Sequence, residues 1–124
     1  MNNILTRTRL LYRLEWLALA LVLIWLMVVQ VDWSQSLHIG LVIFFAIMPD
    51  LAMFAFPAAQ RGASWPYALY NGLHNYVVWL LVAAVFYLLG LAITATILAW
   101  AIHIAIDRAV GYALRDAHGV IQTV

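Results

Sequence analysis

Cysteine is absent from this 124-residue chain, and so is lysine. Without cysteine, disulfides and thiolate metal sites are excluded. Charge is scarce as well: 9% of residues are charged, against roughly a quarter in a soluble domain. That shortage excludes an ordinary water-soluble fold of this size. The net charge of +1 and the lack of a basic tract argue against a nucleic-acid partner. No low-complexity tract or linker is present, and there is no room for a separate soluble domain.

What is present is apolar: 68% of the residues are hydrophobic. Four apolar stretches stand out, at about 10–30, 37–56, 67–89 and 91–112. Each has about 20 residues, enough at about 1.5 Å per residue to cross about 30 Å of hydrocarbon. Lipid cannot satisfy open backbone groups, so such stretches fold as helices. The expected architecture is a single transmembrane domain over 1–124, an all-α four-helix bundle. Arg7, Arg9 and Arg13 before an apolar run also fit a signal peptide. The run Trp16–Val29 is long for one, however, and no small-residue cleavage site follows it.

Arginine placement predicts the orientation. Arg7, Arg9 and Arg13 precede the first stretch, Arg61 lies in the second break, and Arg108 and Arg115 lie at the C-terminal end. The break at 31–36 and the turn near Gly90 have none. This positive-inside bias places both termini in the cytoplasm. Tyr12, Trp16, Trp33, Trp65, Tyr67 and Tyr112 near span ends suit an interfacial aromatic belt. Trp25, Trp79 and Trp100 fall deeper and are expected to pack.

The polar residues then gather in one layer. Glu15, Asp50, Asn71, His74, His103 and Asp107 all fall roughly 6–13 Å from the cytoplasmic ends of their spans, counted by helical rise. The opposite halves are nearly free of polar side chains. A charge at mid-helix costs about 2.5–3.5 kcal/mol on insertion scales, so these acids should face one another, the histidines, Arg108 or water. His103 and Asp107 are four apart and share a helix face; Asn71 and His74, three apart, are expected to do the same. Pro49-Asp50 looks like a helix restart that aims freed backbone groups at the layer. Gly111 and nearby alanines would let helices approach closely.

Carboxylates and imidazoles suit zinc, iron or manganese. Asp50, His74, His103 and Asp107 are the candidate ligands of a divalent metal, with Glu15 as general base or fifth ligand. Asn71 and Arg108 are candidate supports. Plainer readings exist for each. Arg108 can snorkel to headgroups while Asp107 bonds Glu15 or a tyrosine. His74 can be a buried hydrogen-bonding residue, and Asn71 a helix–helix clamp. Asp32 and His38 belong to the outer surface, and Asp116 and His118 to a solvated tail with no assigned role.

The pieces "RLEWLAL", "MPDLAMFAF", "LYNGLHNY" and "HIAIDRAVGYAL" resemble, in that order, a bacterial family of small membrane proteins, domain of unknown function 4260. The resemblance covers about residues 12–119. It implies an Asp-Thr-His element in the tail, where this chain has Asp116-Ala117-His118 after a shortened segment. It implies no activity. Three functions therefore stay open: a metal-dependent enzyme or cofactor binder acting on a lipophilic small molecule, a carrier or proton relay, and a structural membrane protein. The lipid bilayer is the expected partner, and oligomerisation is left open.

Overall fold

The computed structural model describes residues 2–90 and 95–123. Helix α1 spans Asn2–Gln30 and α2 spans Ser36–Ile47. A 3-10 segment, Met48–Ala55, continues α2 into the short α3, Phe56–Gln60. Then come α4 (Trp65–Leu73), α5 (Tyr76–Leu88) and α6 (Ala95–Val110). Strands β1 (Tyr112–Arg115) and β2 (Ile121–Thr123) close the chain as an antiparallel hairpin.

Among the described residues, two continuous stretches are long and apolar enough to cross a membrane, Thr6–Gln30 and Ser36–Gln60. The third expected span is not straight: α4 and α5 meet at a 67° bend. The start of the fourth expected span, including Leu91 and Thr94, lies outside the described residues. Its described part, α6, has 16 residues, about 24 Å of helix.

The three prolines explain where helices begin. Pro49, Pro57 and Pro66 each sit in the first turn of the 3-10 segment, α3 and α4 respectively. There the missing N–H costs nothing and the fixed φ suits helix entry. The eight-residue 3-10 run is long for its type, and such runs often mark a hinge or a strained sequence. At the bend, Asn75 caps α5 by accepting a hydrogen bond from the Val77 N–H at 2.7 Å. His74 is therefore not on the α4 face beside Asn71, as expected, but just past its end.

The most apolar helices are not the most buried. Nine residues of α6 are buried, against one each in α2 and α5, so α6 is the central element. Ala95, Ala99, Ala101 and Ala105 keep it slim enough for neighbours to approach. On one side, α1 runs antiparallel to it: Val31 clusters with Ala95 and Ala99, while Arg13 lies against Gly111. Beside α1, α2 runs parallel to α6, with Val42 near Ala99 and Ala46 near His103. From α5, Tyr76 and Trp79 donate to the carbonyls of Ala101 and Ile97 at 2.7 and 2.9 Å, and the Tyr76 ring stacks on Trp16 of α1. Leu10, Val22, Ile43, Phe54, Leu80 and Leu88 are among many large apolar side chains left exposed. Apolar surface on that scale calls for lipid or protein cover.

Three packing expectations change. Trp25 is 64% exposed, while Trp100 is buried and Trp79 half-buried. Gly111 does not sit within a helix–helix seam. It ends α6 at φ 102°, and a Cβ there would run into the Arg13 guanidinium. The tail is not simply solvated: Asp116 builds the hairpin turn, accepting at one carboxylate oxygen from the N–H groups of His118 and Val120 at 2.8 and 2.9 Å.

Candidate metal centre

Central helix α6 presents His103 and Asp107 one turn apart on one face. The bend between α4 and α5 brings His74 against them, fully buried. The 3-10 segment brings Asp50, whose side chain is 45% exposed. His74 Nε2 lies 3.1 Å from an Asp50 oxygen and 3.4 Å from an Asp107 oxygen. His103 Nε2 lies 3.2 and 3.5 Å from the same two carboxylates. The two Nε2 atoms are 3.3 Å apart. All four ligand atoms lie within 4.8 Å of one another.

Those separations have a simple reading. For ligand atoms about 2.0–2.1 Å from a common centre, the edge of a tetrahedron is about 3.3–3.4 Å. Five of the six edges are given above and fall between 3.1 and 3.5 Å; the sixth, between the Asp50 and Asp107 oxygens, spans up to 4.8 Å, so the set is a tetrahedron opened on its carboxylate side.

Hydrogen bonding on the far side of each ring fixes which nitrogen faces the centre. His74 Nδ1 is 2.8 Å from the Tyr70 carbonyl, and His103 Nδ1 is 2.6 Å from the Ala46 carbonyl. A carbonyl only accepts, so each Nδ1 carries a proton. In a neutral ring, Nε2 then offers a lone pair. Two such lone pairs and two carboxylate oxygens converge, with formal charge −2 and nothing but acceptors. One proton on either Nε2 would bond a carboxylate and leave the set at −1, and protonating both would crowd two cationic rings 3.3 Å apart, where like charges repel. One divalent cation satisfies all four groups and cancels the charge. Carbonyl–histidine pairs of this kind commonly hold metal-binding rings in place.

The backbone supplies the Ala46 carbonyl for a reason visible in the sequence. In a 3-10 ladder its partner would be the nitrogen of Pro49, which has no proton. The His103 ring takes that vacant acceptor. Pro49 thus positions two ligands: Asp50 by proximity, and His103 through the freed carbonyl.

The bend is held from α6. Trp100 Nε1 donates to the Leu73 carbonyl at 2.7 Å. Arg108 donates from Nη2 to the His74 carbonyl at 2.8 Å and from Nη1 to the Tyr112 carbonyl at 3.0 Å. Arg108 therefore supports the site through backbone rather than by pairing with Asp107. Asp107 faces the two histidines, not Glu15 or a tyrosine. Asn71 clamps a strand instead of a helix: its amide donates to the Arg115 carbonyl and accepts from the Arg115 N–H, both at 2.8 Å. Glu15 is exposed on α1 and outside the group of four.

A cavity of about 330 Å³ opens against Asp50 and Asp107, walled also by Tyr70, Tyr112, Arg115 and Ile121. The hairpin forms one of its walls. Sequence reasoning missed the hairpin, Tyr70 and Arg115. The signals were Gly111, Gly119 and the Asp116-Ala117-His118-Gly119 turn between two short β-prone runs.

The family model described as domain of unknown function DUF4260 matches residues 9–124. The chain belongs to the DUF4260 family. That match takes in all four converging residues and the hairpin wall of the cavity. No curated protein and no solved structure matches the chain.

Proposed function

We propose that this DUF4260 protein is a four-helix, multi-pass protein of the bacterial inner membrane with both termini in the cytoplasm. We further propose that Asp50, His74, His103 and Asp107 bind one divalent metal that acts on a membrane-soluble substrate. The observation that carries the metal reading is the convergence of four acceptor atoms, with both imidazoles turned by main-chain carbonyls. The nitrogen–oxygen ligand set suits zinc, iron(II) or manganese. The orientation is supported by the contacts that gather Arg13, Arg108 and Arg115 at one end of the helices, away from the loop after α1.

Such a metal would supply Lewis acidity or an activated water. The chain's own residues supply the rest. Asp50 is the most open of the four ligands and borders the cavity, so a substrate oxygen would approach beside it. Trp100 and Arg108 keep His74 in place while this happens. The hairpin shields the cavity on its tail side.

Chelation tests the reading. Removing metal from protein extracted in mild detergent should lower its thermal midpoint, and one of zinc, iron(II) or manganese should restore it. A midpoint indifferent to chelator and to all three metals would leave the four residues as a hydrogen-bonded lock between helices.

A further inference from the structure

Arg115 stands in the cavity wall with Asp50 and Asp107, and its position is unusually well fixed. Its main chain is clamped on both sides by Asn71. Its guanidinium lies over the rings of Phe56 and Tyr70, 4.9 and 4.8 Å from their centroids. One Nη donates to the Gly119 carbonyl at 2.7 Å. Nε is buried without a hydrogen-bond partner among the described residues. No carboxylate among them lies within ion-pair distance of this charge. Arg115 also borders a second cavity of about 480 Å³, beside Ser64, Tyr67 and Asn71.

A held, part-buried cation without a counter-ion among the described residues calls for an anion. The adjacent centre strengthens this. Two carboxylates, two neutral imidazoles and one divalent metal sum to zero, so Arg115, with Arg108 behind the bend, leaves the site positively charged. Arginine's fork matches a phosphoryl group, and a metal beside it is the usual second clamp on such a group. We infer that Arg115 is the anion-binding residue of this site, and that the substrate carries a phosphoryl oxyanion. The inference rests on the metal reading above and narrows its substrate class. The phosphoryl group can belong to a lipid headgroup or to free phosphate.

The test uses the full chain in dodecyl maltoside, a detergent without phosphate, loaded with cobalt(II) as a visible stand-in for the metal. Inorganic phosphate is titrated in one arm and short-chain phosphatidic acid in the other, while the cobalt absorption is followed. A saturable change in either arm is expected. Phosphate alone assigns a free anion, and phosphatidic acid alone assigns a headgroup. Arg115→Gln should weaken the apparent affinity at least tenfold with cobalt stoichiometry unchanged, and Arg115→Lys should fall between the two. A variant that merely loosened the hairpin would lower cobalt occupancy as well. Cobalt bound with no response to either titrant, or equal affinities in wild type and Arg115→Gln, would overturn this inference alone. Failure to bind cobalt would overturn the metal reading and this inference with it.

Discussion

Replacing Arg108 with methionine removes two hydrogen bonds at once, to the carbonyls of His74 and Tyr112 at 2.8 and 3.0 Å. Methionine keeps much of the apolar stem, so the change isolates the guanidinium. Hydrogen bonds to charged groups are worth about 1.5–3 kcal/mol each in soluble proteins. Polar contacts between membrane helices average nearer 0.6 kcal/mol, because the unfolded chain in lipid finds other partners. The pair should therefore contribute about 1–3 kcal/mol of stability. The consequence for the metal follows from which carbonyl is lost. Residues that orient a ligand typically change metal affinity about 10–100-fold, and Arg108 anchors the backbone of His74 itself. Equilibrium denaturation in detergent measures the first effect, and competition with a chelator of known affinity measures the second. Arg108→Lys should recover only part of either, since an ammonium cannot bridge two carbonyls as a planar fork does. If Arg108 only snorkelled to headgroups, Arg108→Met would change stability by less than about 0.5 kcal/mol and leave metal affinity intact. That result would refute the argument that α6 holds the bend.

Three further outcomes are expected. Trp100→Phe should destabilise by about 1–3 kcal/mol, read by the same denaturation, because the half-buried Leu73 carbonyl loses its donor. Gly111→Ala should be worse than a typical surface change, by at least about 1 kcal/mol, because φ is 102° and the new methyl meets Arg13. Relief of part of that loss in Gly111→Ala/Arg13→Ala would confirm the contact. In the loop after α1, hydrogen bonds from the Ser34 hydroxyl and N–H hold the Asp32 carboxyl below the usual carboxylate range. A group lowered on folding stabilises the fold above its unfolded pKa, near pH 4. That contribution should fade as the pH drops through the folded value. Ser34→Ala should raise the Asp32 titration midpoint seen by NMR.

Much of the candidate site could be read from the sequence, because intramembrane acids and histidines are expensive enough to need partners. That argument selected Asp50, His74, His103 and Asp107, and the fold gathers them. It also selected Glu15, which is exposed on α1 and stands outside the group. The bend at His74 was harder to see. The apolar run from 67 to 89 carries enough hydropathy for one span, and Asn75 as an N-cap is a weak local signal inside it. Hydropathy also hid the centrality of α6: its alanines are less apolar than the leucines of α1, yet small size is what places a helix in the middle. Arg115 entered the sequence reading only as one of six positive charges. Its role depends on a hairpin whose strands are four and three residues long, too short for alternation to register.

The metal-to-protein ratio of the natively extracted chain tests the central claim most directly. Wild type should carry close to one equivalent of a single divalent transition metal. His103→Leu should lose that metal while circular dichroism still reports a helical protein. A wild-type chain with no stoichiometric metal, or a His103→Leu chain that retains it, would contradict the account.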